Sequence, residues 1–375
     1  MTVSACRPPS GGTVYHTVIE GDNLEVLQRI QGECAGKFDF VYIDPPYNTG
    51  KTQNRNYKDR FWEYYSREKH EKWLDFMYRR FEALMPLLTD DAVVFVSIDD
   101  RELPHLILML RRLFGEWNTE VMIWHKIPEA GTAGQGKMKR TKRFRIDHEY
   151  IIVAYRDKQA IHFNKIKTLR SVMKNYGNPD SDPRGPWISA EICKSKNKSN
   201  PNGKNYYTLI TPSGRKITRQ WHFSREELEE LDRDGRIWWG NGRIIPRLKK
   251  FLNEPRLVTP SSVIKNISQT EGLKDLKKLL GKEPPSRPKP VRLLKLLLQM
   301  AARPDSLVLD FFAGTGSLGQ AVMEYNAETG SRIRSVLVSN NEQHSLDDFL
   351  LPRLRKLEQI YLPEQKLQYF RINEH

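Results

Sequence analysis

The sequence predicts an α/β fold with a substantially parallel sheet, on two observations. Apolar runs of strand length alternate with helical periodicity across residues 14–155 and again from Val291 to Val338. Acidic or glycine-rich motifs stand just past the ends of several strand-like runs, where ligands of such sheets collect; Asp22, Asp44 and Asp99 all fall there. A chain of 375 residues, 38% hydrophobic and 29% charged, has the composition of a folded protein and the length for one large core plus a second module.

Val14 to Glu20 alternates weakly as a strand and reaches Gly21-Asp22-Asn23, after which Leu24, Val26, Leu27 and Ile30 keep helical spacing. Residues 38–43 read as a largely buried strand. Pro45 and Pro46 stop it, since proline fixes φ and has no amide donor. The polar, aromatic residues 51–70 are too charged for a core and suit a long loop. Trp73, Leu74, Met77, Phe81 and Leu84 then form a helix ending near Pro86, and Ala92 to Ile98 a strand with Asp99-Asp100 at its tip. A Leu-rich helix from about Glu102 to Phe114 follows, and strands near 118–125 and 148–155 flank a basic loop.

From about residue 160 the alternation stops, and basic, turn-forming and aromatic residues mix with no long helical period. Ser224 to Leu231 is a short acidic helix, Trp238-Trp239-Gly240 an aromatic turn, and Pro246 to Leu252 a basic segment. Pro284, Pro285 and Pro288 suit an extended connector and mark a boundary. The α/β rhythm resumes with a helix from Val291 to Met300 and a strand from Ser306 to Phe311, which runs into Ala313-Gly314-Thr315-Gly316-Ser317-Leu318-Gly319 and a helix through Met323. Ile333 to Val338 is one more strand, with Asn340, Asn341 and Glu342 after it. The last thirty residues read as helical and then extended, with no chemical signature.

Net charge is +15, and residues 161–290 hold 27 Lys and Arg against 13 Asp and Glu, a balance of +14. A polyanion touching that region is the direct physical reading, the bland one being a solubilising surface. Cys6, Cys34 and Cys193 have neither metal-site nor disulfide-framework spacing, which fits a cytoplasmic protein. The first residues lack the apolar core of a signal peptide, and no run reaches membrane-span length.

Asp44-Pro45-Pro46-Tyr47 is the most specific motif. Held at a strand tip, it offers an anionic acceptor, rigid carbonyls with no donor beside them and a flat aromatic face. That arrangement suits a planar ring bearing an amine; for Tyr47 the plainer role is strand-end packing. The loop over 311–319 follows a strand and opens a helix, with Asp310 at the strand end, which suits either close ligand approach or a structural turn. Gly131 to Lys137 has the skeleton of a phosphate loop, but Met138 stands where a magnesium-binding hydroxyl belongs, so a basic loop near nucleic acid is the better reading. No metal is expected: no histidine or repeated acid spacing completes a shell around Asp22, Asp44, Asp99 and Asp100. His70, His125 and His148 have no nucleophile to serve.

The order of these pieces carries a resemblance. Glu20-Gly21-Asp22-Asn23, Asp44-Pro45-Pro46-Tyr47 with Asn48-Thr49-Gly50, Ser97-Ile98-Asp99-Asp100, the run from Asp234 to Gly240, Lys289-Pro290 before a Leu-rich helix, and Asp310-Phe311-Phe312-Ala313-Gly314-Thr315-Gly316 follow one another. Over about residues 14–345 the chain resembles the AdoMet-dependent DNA amino-methyltransferases of the β arrangement, and among them the modification subunits of type III restriction–modification systems and their solitary relatives. The resemblance implies a Rossmann-like sheet, mostly parallel with an antiparallel hairpin strand, and a circularly permuted motif order. Residues 14–158 and 286–345 would then be halves of one catalytic domain, 159–285 an inserted target-recognition region, and 346–375 a helical and extended tail.

The activity implied is site-specific methyl transfer from S-adenosylmethionine to adenine N6 in double-stranded DNA. Cytosine N4 methylation, RNA adenine methylation and a catalytically silent nucleic-acid-binding protein are the alternatives. By resemblance, Asp44, Pro45, Pro46 and Tyr47 serve catalysis, while Asp22, Lys289, Asp310, Phe311, Ala313, Gly314 and Gly316 serve the cofactor. Either Glu342 or one of Asn340 and Asn341 takes its ribose. A second copy of the chain and a separate restriction subunit are the protein partners raised, and a protein acting alone is equally compatible.

Overall fold

The computed structural model describes residues 6, 13–48, 67–127, 146–161, 163–168, 175–240, 245–284, 287–361 and 365–372. The Gly131 to Lys137 run, Thr49-Gly50, residues 51–66 and Pro285 lie outside the described residues. The chain divides into one compact unit of residues 1–164 with 259–375 and another of residues 165–258.

The first unit opens with β1 (Val14–Glu20), which is buried on both faces rather than alternating, and which pairs with a strand along each of its edges. Asp22 caps α1 (Asn23–Arg29), its carboxylate accepting the amides of Leu24 and Glu25; a single turn, α2 (Gln31–Cys34), follows. Cys34 is joined by a disulfide to Cys6, which corrects the expectation of unpaired cysteines. Their separation of 28 residues matches no familiar framework; both thiols are placed together by entering the same apolar cluster. All six residues of β2 (Phe38–Ile43) are buried.

Helix α3 (Arg67–Leu84) starts earlier than expected and absorbs the last charged residues assigned to the loop. Its face of Trp73, Met77, Phe81 and Leu84 repeats every three to four residues and is wholly buried. β3 (Leu88–Ile98) lies beside β2, α4 (Leu103–Phe114) ends at Gly115 with φ 101°, and β4 (Thr119–His125) and β5 (His148–Tyr155) form an antiparallel pair.

The second unit is built of short strands: β6 (Ile166–Thr168), β7 (Trp187–Glu191), β8 (Tyr206–Ile210) and β9 (Lys216–Gln220). Then come α5 (Arg225–Arg233), whose capping box joins Ser224 and Glu227, and β10 (Ile237–Trp238), β11 (Arg247–Phe251) and β12 (Arg256–Val258). β7, β10 and β11 make a three-stranded sheet, β8 and β9 a hairpin, and β6 and β12 a pair. Ile192, Cys193, Ile217, Trp221, Leu228 and Ile237 form its own apolar core.

Back in the first unit, β13 (Val263–Ile264) joins β4, and α6 (Gln269–Leu280) packs against α7 (Val291–Ala301). Both β13 and α6 precede the prolines expected to mark a boundary, so the division between the units falls at 258/259 instead. Next come β14 (Leu307–Asp310), α8 (Ser317–Thr329), β15 (Arg334–Ser339), α9 (Leu351–Ile360) and β16 (Gln365–Arg371). The sheet of nine strands runs β13-β4-β5-β3-β2-β14-β15-β1-β16. Among the described residues its strands pair in parallel except at β5, which runs against β3 and β4. The expected fold class is therefore observed. The last residues, read as helical and then extended, are α9 and an edge strand, β16, which pairs with β1 along its whole length.

Candidate active site

The order of the sheet reverses where β2 meets β14: from β2 the chain goes on to β3 on one side, and from β14 to β15 on the other. A parallel sheet opens a crevice beyond the carboxyl ends of its strands at such a point. Asp44 leaves β2 and Asp310 ends β14 there, and a cavity of about 300 Å³ lies over the junction. Asp22, Asp44, Pro46, Lys289, Asp310, Phe311, Ala313, Gly314, Asn340 and Glu342 line it, so most of the candidate residues meet in one place. Pro45, Tyr47 and Gly316 do not line it, and neither do Asp99 and Asp100. The Asp99 carboxylate instead accepts the Arg101 amide at 3.0 Å.

The backbone of the glycine loop explains its composition. Gly314 has φ 51° and Gly316 φ 79°, left-handed conformations that side chains resist, and a Cβ on Gly316 would also meet Leu350 at 3.1 Å. Gly316 then opens α8, whose first amides face the same end of the sheet. Arg353 of α9, fully buried, fixes the loop from behind: its guanidinium donates to the Thr315 carbonyl and Ser317 Oγ at 3.1 Å each, and to Gln320 Oε1 at 2.6 Å. Burial lowers its pKa to about 10.

On the Asp44 side, Tyr47 Oη donates to Asp44 Oδ1 at 2.7 Å. Lys289 Nζ donates to Asp44 Oδ1 at 2.6 Å and to Tyr47 Oη at 2.8 Å. Glu149 on β5 stands 3.6 Å from the same ammonium and accepts from Lys126 Nζ at 2.9 Å. Burial works to lower the Lys289 pKa, but the Asp44 and Glu149 carboxylates outweigh it and hold the ammonium above its ordinary value. Burial, then Asp44 and Glu149, raises the Tyr47 phenol well above its usual range, so it stays a hydrogen-bond donor. Trp73 Nε1 donates to the Pro46 carbonyl at 2.8 Å and pins the motif to α3. Lys289 reaches the site because α6 passes close by: a Cβ on Gly272 would lie 2.1 Å from the Pro288 carbonyl.

The rest of the cavity is polar on one wall and aromatic on another. Arg80 donates to Asn23 Oδ1 at 2.5 Å and to Asp22 Oδ2 at 3.3 Å, while Asn23 Nδ2 donates to the Phe311 carbonyl at 2.8 Å. Phe76 and Phe312 sit with ring centroids 6.1 Å apart. Burial pushes the Asp310 pKa up to about 8; the Phe312 amide opposes this and Asp44 adds to it. Asn341 has its amide engaged in the turn, Nδ2 donating to Asp347 at 2.7 Å and Oδ1 accepting from Leu346, while Asn340 and Glu342 line the cavity. Sequence reading missed Asn23, Arg80, Glu149, Lys126 and Arg353. Asn23 closes the Glu20-Gly21-Asp22-Asn23 string and could have been found there, but the others are assembled only by tertiary structure.

Similarity to known proteins is extensive. The DNA methylase family matches residues 38–359. The chain is 31% identical over 351 residues to the StyLTI Mod subunit of a type III restriction–modification enzyme of Salmonella typhimurium, covering 86% of this chain and 52% of that one. It is 27% identical over 386 residues to the EcoPI Mod subunit of Escherichia phage P1, covering 87% and 57%. Against the type II methyltransferase M.KpnI of Klebsiella pneumoniae the identity is 25% over 344 residues, covering 86% and 79%. The chain thus spans about half the length of the type III subunits it matches. Among the described residues no helix is long and apolar enough to cross a membrane.

Proposed function

The chain belongs to the DNA methylase family, and on that premise we propose that it is a site-specific DNA methyltransferase that moves a methyl group from S-adenosylmethionine to the N6 amine of adenine. The observation that carries this reading is the convergence of Asp44 and the Asp310 to Gly314 loop on one cavity, from adjacent parallel strands. The donor set suits the cofactor: carboxylates for its cationic groups, Phe311 and Phe312 for its flat ring, and the α8 N-terminus for its carboxylate. Asn340 and Glu342 are assigned to the ribose hydroxyls because both line the cavity. When bound, S-adenosylmethionine supplies a methyl group on a cationic sulfur, the electrophile of the reaction.

The chain's own residues prepare the nucleophile. An exocyclic base amine is a poor one because its lone pair is delocalised into the ring. Asp44 Oδ and the Pro45 carbonyl accept its two hydrogens and favour a pyramidal nitrogen whose lone pair is free; the Pro46 carbonyl is already taken by Trp73. These bonds accelerate transfer insofar as they strengthen in the transition state. The Lys289 ammonium already makes a nitrogen-to-Asp44 hydrogen bond, the kind an incoming amine takes over. Tyr47 offers its ring to a base turned out of the duplex and offsets part of the unstacking cost, about a few kcal/mol. Residues 165–258, with 20 Lys and Arg against 10 Asp and Glu, are assigned to the DNA, their cations to phosphates and a minority of side chains to base edges. A restriction subunit or a second copy are the protein partners proposed, after the relatives named as Mod subunits.

Methylation of a random-sequence duplex, read by single-molecule sequencing of modified bases, tests the reading. N6-methyladenine at one sequence is expected, and Asp44→Ala should cut turnover by at least about 100-fold while leaving cofactor affinity within a few-fold. N4-methylcytosine as product, methylation of RNA alone, or turnover retained by Asp44→Ala would each refute it.

A further inference from the structure

Outside the cavity, two histidine side chains meet around one buried carboxylate. Glu102 precedes α4 and His105 lies three residues on, so both project from the same face of its first turn. His70 comes from the first turn of α3. Glu102 is completely buried, yet its ionic partners among the described residues are these two histidines, with no lysine or arginine. His70 Nδ1 lies 2.8 Å from Glu102 Oε1, and His105 Nδ1 lies 3.2 Å from Oε2. Glu102 Oε2 and His105 Nδ1 are both buried without a hydrogen bond, although they face each other. The two imidazole rings stack with centroids 4.5 Å apart and present their Nδ1 atoms to opposite oxygens of the one carboxylate.

A buried carboxylate with an unsatisfied oxygen needs a positive charge or a donor, and the neighbouring imidazole nitrogen needs an acceptor or an electron-pair acceptor. One cation answers both. We propose that His70, Glu102 and His105 bind a single divalent transition-metal ion of the zinc class. Ligand atoms about 2.0–2.2 Å from a zinc ion in tetrahedral array stand roughly 3.3 Å from one another, and all the ligand atoms of this group lie within 4.8 Å of one another. Two imidazole nitrogens with one carboxylate favour such an ion over magnesium or calcium, which prefer all-oxygen shells. The histidine side chains are 38% and 37% exposed, which leaves a way in and a fourth position for water.

None of the three residues lines the cavity, so the ion has no place in the methyl-transfer chemistry itself. Its effect is to tie: Asn48 Nδ2 donates to Glu102 Oε1 at 2.6 Å, and Asn48 directly follows Tyr47 with φ 56°. The ion fixes this carboxylate to α3 and α4, and the carboxylate fixes the end of the Asp44 to Tyr47 motif.

Titration of the chelator-stripped full chain with zinc chloride, followed by calorimetry, tests the site. One equivalent of zinc is expected to bind, with magnesium chloride giving no heat, and His70→Ala and His105→Ala should each weaken binding by at least about 30-fold while circular dichroism stays native. No stoichiometric zinc, or undiminished binding in both variants, overturns the proposal. Because variants close to a buried carboxylate can fail to fold, cobalt(II) loading of the unaltered protein gives a second readout. Visible bands of a nitrogen and oxygen shell support the site, whereas a thiolate charge-transfer band or no bands at all overturns it.

Discussion

Asp310 ends β14 with its side chain buried, and its pKa is pushed up to about 8. An unfolded aspartate ionises near 3.8, so between these values the folded chain keeps a proton that the unfolded chain has lost. Stability from this site is therefore full at low pH and drains away as pH rises from about 4 to about 8. Asp310→Asn keeps an oxygen for the Phe312 amide and removes the titration. It is expected to stabilise the protein by on the order of a few kcal/mol at pH 8 and hardly at all at pH 4, while weakening cofactor binding. Thermal melts across that range check it, and equal shifts at both ends would count against the assignment. Asp44, Asp310 and Gly314 were legible because each belongs to a local string whose geometry is set by neighbours in sequence. Arg353, Glu149 and Arg80 were not, since nothing near them in sequence names the partner that the fold brings.

Among the elements, β1 shows how far apolar runs can be trusted. Strands β2, β3, β5 and β15 were readable because burial on both faces leaves near-continuous hydrophobic stretches. β16 was not placed, because its sequence QKLQYFR carries the marks of an edge. What joins it to β1 is polar: His16 is fully buried, with Nδ1 3.0 Å from Ser335 Oγ on β15 and Nε2 2.8 Å from Gln365 Oε1 on β16. Burial lowers the imidazole pKa from 6.5 to about 4, against the hydrogen bond to Gln365. The folded state thus holds fewer protons than the unfolded one, and this contribution is complete above pH 6.5 and lost as pH falls through about 4. It amounts to about 3 kcal/mol. His16→Leu is expected to lower stability at pH 7 and to flatten the decline between pH 6.5 and 4. Urea melts at both ends of that interval measure the difference; a variant declining as steeply as the parent would remove His16 as the cause.

At the scale of the whole molecule, the positive charge is the one property legible before any element was assigned. Of the net +15, residues 165–258 hold +10. Lys194, Lys196 and Lys198 are exposed there on a short turn. Replacing all three with glutamine should flatten the dependence of log affinity on log salt for duplex DNA by up to about 2.7, near 0.9 for each phosphate no longer neutralised. An unchanged slope would move the DNA footprint elsewhere. The union of residues before 165 with those after 258 was suggested only by the order of motifs, since periodicity is blind to which distant strands pair.

Val308 of β14 pairs with Phe40 of β2, 268 positions apart. A ribosome adding roughly 5–20 residues per second takes on the order of tens of seconds to cover that stretch. During this time the nascent chain carries Asp44 with no β14 beside it and no glycine loop across from it. The apolar edge of β2 is exposed to chaperones or to wrong partners for as long. A translation product arrested after residue 258 and before β14 therefore carries the positive charge of residues 165–258 but no cavity.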